Sequence, residues 1–283
     1  MATDNSGQIA DWNGAMGQQW ARLQRDLDAM VMPFGDAALK KAAARPGERV
    51  IDIGCGCGDT SITLAGLVGA TGSVLGVDVS QPMLKVALAR AGQLAWPQLA
   101  FREADAAHAD LPPGNDLLYS RFGVMFFSQP VSAFVQLRKA LRRGGRCVFV
   151  CWRTPRDNPW AMTPLKAARK AMNVTPPPSD PLAPGPFAFA DETRLRGILS
   201  DAGFGSVELE RCDVAVSLGA TPRAAAESAV RIGPTSRFAL EMGPDRLHAI
   251  LEAIERELTP LAGSDGHIAV DGSTWLVSAS NLG

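Results

Sequence analysis

A loop of alternating glycines and cysteines near residue 55 points most directly to chemistry. It lies within VIDIGCGCGDTS, residues 50–61, where Asp52 precedes glycines at positions 54, 56 and 58. Glycines at alternate positions let the backbone approach a ligand closely, and the following helix offers free amide groups at its N-terminus. A structural turn needs only one or two glycines. The pattern therefore favours a cofactor-binding loop.

The charges around this loop argue against a cofactor that carries phosphate. A dinucleotide fingerprint places a third glycine at the sixth position counted from Gly54, and Asp59 stands there instead. Asp52 adds like charge beside the turn. A phosphate-free, cationic cofactor fits better, and a nicotinamide-dependent oxidoreductase is the alternative.

Zinc is another interpretation of the loop, because Cys55 and Cys57 lie two positions apart. A zinc site needs further ligands at a plausible spacing, and Cys147 and Cys151 fall instead in a predicted buried strand. With Cys212 the chain has an odd number of cysteines, and its first residues lack the pattern of a secretion signal. We predict reduced thiols and no metal.

The elements that position the loop alternate between strand and helix from residue 46 onward. The predicted strands are ERVIDIG, GSVLGVDVS, LAFREADA, DLLYSRFG, RCVFVCW, the extended SVELERCDVAVSL and a final STWLVSAS. Helical spacing of apolar residues predicts two or three helices over 8–44, interrupted at Pro33, and further helices over 221–262. Such alternation predicts parallel strands with helices on both faces of the sheet, and ligands at the carboxyl ends of the strands.

Two further acids end predicted strands. Asp78 in GVDVS can accept hydrogen bonds from two ribose hydroxyls, and Asp105 in EADAA can accept from an adenine amino group. Each acid alone is also compatible with a helix cap or a turn. The glycine loop, Asp78 and Asp105 at three successive strand ends are more specific than any one of them.

These three motifs resemble those of class I S-adenosylmethionine-dependent methyltransferases, and with DLLYSRFGVMFF they cover residues 48–152. The resemblance implies S-adenosylmethionine as cofactor, with its methionine part at the loop, its ribose at Asp78 and its adenine at Asp105. QIADWNGAMGQQW and SRFGVMFF further resemble bacterial small-molecule methyltransferases related to the ubiquinone and menaquinone methylases. The cofactor-binding residues we predict are Trp20, Asp52, Gly54, Cys55, Gly56, Gly58, Thr60, Asp78, Val79, Met83, Asp105, Ala106 and Ser120.

The expected fold class is α/β, a Rossmann-like class I methyltransferase sheet with an N-terminal helical lid and a helical insertion before the last strand. We expect the lid over 1–45 and the insertion over 217–272. The core then comprises 46–216 and 273–283, including the proline-rich loop 174–190. The pieces added to the core would select the acceptor.

On the acceptor side, aromatic and apolar residues near the predicted mouth favour a flat or hydrophobic small molecule, with core packing as the alternative. The arginines there could bind a carboxylate or serve as surface partners. The predicted substrate residues are Trp12, Arg121, Phe122, Met125, Trp152 and Arg153. No catalytic residue is identified beyond His267 as a candidate base, because a sulfonium methyl group can be transferred by in-line positioning.

The predicted function is methyl transfer from S-adenosylmethionine to an oxygen, nitrogen or carbon of a small molecule. A non-catalytic, cofactor-binding regulatory protein is the other alternative. A formal net charge of −1 gives no electrostatic reason to expect nucleic acid as a partner. The sequence contains no run of eighteen apolar residues, so we expect no membrane-spanning helix. We expect a cytoplasmic monomer or homodimer.

Overall fold

A mixed β-sheet forms the centre of the fold in a computed structural model that describes residues 5–175 and 180–283. Its strands are β1 (Arg49–Ile53), β2 (Ser73–Asp78), β3 (Leu99–Glu103), β4 (Asn115–Arg121), β5 (Leu141–Trp152), β6 (Gly205–Gly219) and β7 (Ile268–Ser280). Within the described ranges the seven strands are ordered β3-β2-β1-β4-β5-β7-β6. The strand order reverses at β1, which places the carboxyl ends of β1, β2 and β4 side by side.

The first five strands pair in parallel, as the alternation predicts. The parallel prediction does not extend to the last two strands, because β7 runs antiparallel to both β5 and β6. β7 also starts earlier than the predicted STWLVSAS, and the part of it before Thr274 pairs with β6 beyond the end of β5. An antiparallel edge on a mostly parallel sheet is common among such folds.

Helices cover both faces of the sheet, as expected. They are α1 (Ser6–Asn13), α2 (Ala15–Arg22), α3 (Gln24–Ala42), α4 (Asp59–Val68), α5 (Gln81–Leu94), α6 (Pro130–Ala140), α7 (Pro159–Ala171), α8 (Glu192–Asp201), α9 (Pro222–Ala229), α10 (Pro234–Met242) and α11 (Leu247–Leu258). The expected interruption at Pro33 is wrong, because Pro33 lies inside α3. The next residue, Phe34, is fully buried, so core packing offsets the hydrogen bond that proline removes.

The segment between β6 and β7 is helical, as predicted, and α9 and α11 pack against α7. In the proline-rich loop, residues 180–190 form neither helix nor strand, while residues 176–179 lie outside the described part of the chain. The end of this loop is fixed to the sheet, since Trp275 Nε1 donates to the Ala190 carbonyl at 2.9 Å. Phe189 beside it is buried in the main core.

Candidate active site

The glycine loop connects β1 to α4 in a backbone conformation that favours glycine. Gly54, Gly56 and Gly58 have φ values of 68°, 54° and 82°. A Cβ at Gly54 would lie 2.7 Å from the Cα of Gly123, whereas a Cβ at Gly56 would meet nothing nearer than the Met83 sulfur at 3.8 Å. Gly54 therefore permits close packing against the chain after β4, and the backbone at Gly56 faces open space in which a ligand could lie.

Asp52 lies beneath this loop and is fully buried. Its Oδ2 accepts hydrogen bonds from Thr60 Oγ1 at 2.7 Å and Ser61 Oγ at 2.6 Å. Its Oδ1 is buried without a hydrogen-bond partner. Burial raises the pKa of Asp52 to about 6, although the two hydroxyls and the Arg121 guanidinium act in the opposite direction. A cationic group could pair with the free oxygen.

Asp78 ends β2 and is buried beside the glycine loop. It accepts hydrogen bonds from the backbone amides of Gly56 and Ser80, each at 2.8 Å and each on a different oxygen. Burial raises the pKa of this carboxyl, while the backbone amides oppose that rise. Each carboxylate oxygen has a second lone pair, so Asp78 can hold the loop and still accept from a ribose.

Asp105 follows β3, and several donors already surround its carboxylate. The Asn5 amide nitrogen donates to both oxygens, at 3.0 and 2.9 Å. The backbone amide of Ala107 lies 3.0 Å from one oxygen and His108 Nδ1 lies 2.8 Å from the other. The sequence indicated Asp105 as a site residue but gave no sign of Asn5. The predicted site residue Ala106 is buried next to this acid.

The N-terminal helices lie directly over the glycine loop. Trp12 is buried and makes edge contacts with Phe126 and Trp20, with ring centroids 5.3 Å apart in both pairs. It packs in one apolar cluster with Cys57 and Met83. Trp20 is more exposed, at 36%, and reaches this cluster through Trp12.

Hydrogen bonds fasten these helices to the turn after Asp78. Ser80 Oγ donates to the Trp12 carbonyl at 2.7 Å. The Asn13 side chain donates to the Val79 carbonyl at 2.8 Å and accepts from the Gln81 amide at 2.9 Å. The predicted substrate residue Trp12 therefore lies beside the predicted cofactor residue Val79, and the backbone carbonyl of each accepts one of these hydrogen bonds.

A network of partly buried charges connects α3 to the start of α4, directly after the glycine loop. Arg121 pairs with Asp28 of α3 at 2.6 Å and with Asp59 of α4 at 3.1 Å. Arg90 pairs with Asp59 at 3.0 Å and donates to the Cys57 carbonyl at 2.9 Å. These contacts favour a structural role for Arg121 over the predicted binding of an acceptor carboxylate. Asp59, which replaces the third glycine of a dinucleotide loop, anchors the same network.

Aromatic side chains gather at the carboxyl ends of β4 and β5. Phe122 stacks on Trp152 with centroids 4.4 Å apart and an interplanar angle of 13°. Trp152 also contacts Phe34 at 5.1 Å and Trp160 at 4.9 Å. Trp160 was not predicted as a site residue because it lies within a helix, α7, outside any strand-end motif. A cavity of about 10 Å³ adjoins Trp160, with Met30 also in its lining.

The remaining predicted residues differ in how close they lie to the loop. Ser120 does lie beside it, because its hydroxyl donates to the Ile53 carbonyl at 2.7 Å and accepts from the Gly123 amide at 3.2 Å. Met125 is buried in the main core. Arg153 is engaged by the carboxylates of Asp157 and Asp213, each at 3.2 Å, and by the face of Trp275 at 5.0 Å. These contacts favour the surface-partner alternative for Arg153.

His267 lies far from the glycine loop. Thr274 pairs with Trp152 at the end of β5, and His267 precedes Thr274 by seven residues along an extended segment. At about 3.3 Å per residue this separation is roughly 20 Å. The backbone amide of His267 donates to Asp265 Oδ1 at 3.0 Å within a local turn. The structure therefore does not bring this candidate base together with the predicted cofactor-binding residues.

The cysteines of the loop are buried free thiols. Burial raises the pKa of Cys57 to about 12 and also raises the pKa of Cys55, so both remain protonated at neutral pH. Within residues 5–175 and 180–283, no three His, Cys, Asp or Glu side chains form a group that could hold a metal ion. The absence of metal stays a prediction.

Across residues 5–175 and 180–283, no helix has the length and apolar character needed to cross a membrane.

Comparisons with known proteins place this arrangement in a family. A family model described as a methyltransferase domain matches residues 50–145. A demethylmenaquinone methyltransferase from Beutenbergia cavernae is 30% identical over 182 residues, which are 60% of this chain and 71% of that protein. The chain belongs to the S-adenosylmethionine-dependent methyltransferase family.

Other relatives match a shorter part of the chain or share the fold. A 2-phytyl-1,4-naphtoquinone methyltransferase from Synechococcus elongatus is 35% identical over 120 residues, 42% of this chain and 52% of that protein. The chain thus spans about half the length of that relative. The YcgJ protein of Bacillus subtilis has the same fold, with a TM-score of 0.58, 16% identity and coverage of 88% of this chain and 98% of that one.

Proposed function

We propose that this protein transfers the methyl group of S-adenosylmethionine to a small, apolar or aromatic acceptor. The observation that carries the proposal is the free, buried Oδ1 of Asp52 under a glycine loop whose open face lies at Gly56. A buried carboxylate oxygen without a partner is costly, and a cationic ligand offsets that cost. S-adenosylmethionine carries an ammonium group and a sulfonium, and no phosphate.

The residues at successive strand ends would hold the parts of this cofactor. Asp52 would pair with the ammonium group, Asp78 would accept from the ribose hydroxyls and Asp105 from the adenine amino group. Trp12 and Met83 would provide the apolar cover. Bound S-adenosylmethionine supplies an electrophilic methyl group, so the chain needs chiefly to orient the acceptor and exclude water.

The acceptor would lie against the aromatic cluster of Phe122, Trp152 and Trp160. These rings meet at the carboxyl ends of β4 and β5, next to the glycine loop. Stacked and edge contacts of this kind suit a planar, apolar molecule. The naphthoquinone and demethylmenaquinone in the names of the relatives have that chemistry. We also propose a division into a lid over 1–45, a core, and an insertion over 217–272 whose first and last residues belong to β6 and β7.

The nicotinamide alternative gains no support from the comparisons. Asp59 is paired with Arg90 and Arg121, so its carboxylate is fixed where a dinucleotide loop needs glycine. A non-catalytic cofactor-binding protein would have the same cofactor residues, and turnover distinguishes it from an enzyme.

Calorimetric titration with S-adenosylhomocysteine and with NAD⁺ tests the cofactor assignment. We expect S-adenosylhomocysteine to bind and NAD⁺ not to bind. Asp78→Ala should weaken S-adenosylhomocysteine binding by about 1 to 3 kcal/mol, the range for lost charge-assisted hydrogen bonds. Asp116→Ala is the matched control, because Asp116 accepts from the Arg49 amide and from Arg142 away from the loop. Equal binding by both variants, or binding of NAD⁺ alone, would contradict the proposal.

Turnover is tested by following S-adenosylhomocysteine production with panels of phenols, naphthoquinols and amines. Acceptor-dependent production supports the enzyme. Tight cofactor binding without turnover for any acceptor class supports the regulatory alternative.

A further inference from the structure

The side chain of Asn5 lies against the acid that the proposed function assigns to adenine. Its amide nitrogen donates to both oxygens of Asp105, at 3.0 and 2.9 Å. Its own oxygen accepts from the backbone amide of Ser128 at 3.0 Å and from the Ser128 hydroxyl at 2.7 Å. Asn5 is buried, and its carboxamide is satisfied on both the donor and the acceptor side.

Asn5 makes these contacts in place of a more usual local role. It stands at the N-cap of α1, where asparagine is a favoured residue because its side chain can accept from the first amides of the helix. The Asn5 side chain makes no capping hydrogen bond. It crosses instead to groups 100 and 123 positions further along the chain. The long-range contacts therefore decide its orientation.

The hydrogen-bonding capacity of Asp105 is fully used while Asn5 is in place. A carboxylate offers about four lone-pair sites. Asn5 contacts both oxygens, and the Ala107 amide and His108 Nδ1 each contact one. Ala107 and His108 belong to the turn after Asp105, so Asn5 is the donor contributed by the lid. An incoming amino group would have to take its place.

The Asn5 carboxamide also matches the chemistry of adenine. A carboxamide presents an NH₂ donor next to an oxygen acceptor, and adenine presents its amino group next to a ring-nitrogen acceptor. In the structure the donor faces the Asp105 carboxylate and the acceptor faces the Ser128 amide. Both groups could serve an adenine in the same way.

We propose that Asn5 occupies the adenine position in the free protein and competes with the cofactor for Asp105 and the Ser128 amide. This inference rests on the proposed function, because that function assigns Asp105 to adenine. The other end of α1 is held independently, since Asn13 contacts the Val79 carbonyl and the Gln81 amide. The helix can therefore release Asn5 while it remains attached beside Asp78.

Titration of the full chain with S-adenosylhomocysteine tests the competition. Removing an internal competitor raises the fraction of binding-competent protein, so Asn5→Ala and Asn5→Asp should each tighten binding by about five- to tenfold. Asn13→Ala is the control, because it removes a lid anchor that does not contact Asp105; it should leave affinity unchanged or weaken it. In stopped-flow mixing, the observed rate of S-adenosylhomocysteine binding to wild type should level off at high ligand concentration, because release of Asn5 becomes limiting. The binding rate for Asn5→Ala should keep rising with ligand concentration.

Each other outcome overturns the inference. If the wild type binds S-adenosylhomocysteine and the Asn5 variants bind it equally or more weakly, Asn5 is no competitor and the proposed function still stands. If Asn13→Ala tightens binding as much as Asn5→Ala, general loosening of the lid explains the gain. If neither S-adenosylhomocysteine nor adenosine binds to wild type or variants, the proposed function and this inference fail together.

Discussion

Asp52→Asn gives the most quantitative test of the site, because the buried carboxyl has one satisfied oxygen and one without a partner. Burial raises its pKa from the ordinary 3.8 to about 6. A difference of about two pH units between folded and unfolded chains corresponds to about 3 kcal/mol. Asparagine has nearly the same shape but cannot ionise, so the substitution removes the titration.

The direction in which stability changes with pH follows from the number of protons that the native and unfolded chains bind. Between pH 3.8 and about 6 the native protein keeps a proton on Asp52 that the unfolded chain releases. The contribution of Asp52 to the free energy of unfolding is therefore full below pH 3.8 and is lost as the pH rises through about 6. Glu48 and Asp116, whose pKa values their arginine and backbone donors lower, act in the opposite direction. Their effect is common to both proteins and cancels in the difference.

The assay is denaturant-induced unfolding of wild type and Asp52→Asn, without ligand, at intervals between pH 3.5 and 7. The variant should gain about 3 kcal/mol relative to wild type over this range, whatever the fixed cost of placing an amide at the position of Oδ1. Asp116→Asn is the control and should lose stability relative to wild type as the pH rises. A wild-type-to-variant difference that stays constant with pH, or that changes in the other direction, would refute the account of Asp52.

Three further outcomes are expected. Gly56→Ala should abolish detectable S-adenosylhomocysteine binding in a calorimetric titration. Gly47→Ala is the control, because Gly47 also has a positive φ and a Cβ there would meet its nearest atom at 3.7 Å. It should destabilise the fold similarly and leave binding intact. Trp160→Leu should raise the KM for a confirmed acceptor several-fold with little effect on the KM for S-adenosylmethionine, because its ring lies on the proposed acceptor side. His267→Ala should leave kcat within about tenfold of wild type, below the loss of about a hundredfold typical of removing a general base; a thousandfold loss with acceptor binding intact would assign the base to that loop.

The sequence was sufficient for the parallel half of the fold because its signals are local. Glycines at 54, 56 and 58 adopt positive φ, Asp78 ends β2 and Asp105 lies two residues after the end of β3. Parallel pairing of those strands then brings their ends together. The antiparallel direction of β7 could not be predicted from the sequence, because an apolar run predicts a strand but not its orientation in the sheet.

Contacts between side chains that are distant in sequence could not be predicted, for a different reason. Arg121 is the last residue of β4 and was a reasonable candidate for binding an acceptor carboxylate, but the fold brings Asp28 and Asp59 to it from two helices. Asn5 carried no local signal of a site residue, and only its hydrogen bond to Asp105, 100 positions further along the chain, reveals its place. Both assignments depend on long-range contacts that no local spacing encodes.

The aromatic cluster on the proposed acceptor side is the part of the site that is hardest to predict from sequence. Phe122 has a φ of 61°, a left-handed conformation that is uncommon for a bulky residue. Nothing in SRFGVMFF predicts this conformation. The conformation is held by the Phe122 amide, which donates to the Val150 carbonyl at 3.0 Å, and by the stacked ring of Trp152. Such strain persists only where the surrounding structure determines it. The backbone turns the Phe122 ring onto Trp152, so the ends of β4 and β5 share one aromatic cluster. If the acceptor lies against this cluster, as we propose, its selection would depend on that backbone geometry as much as on the residue types.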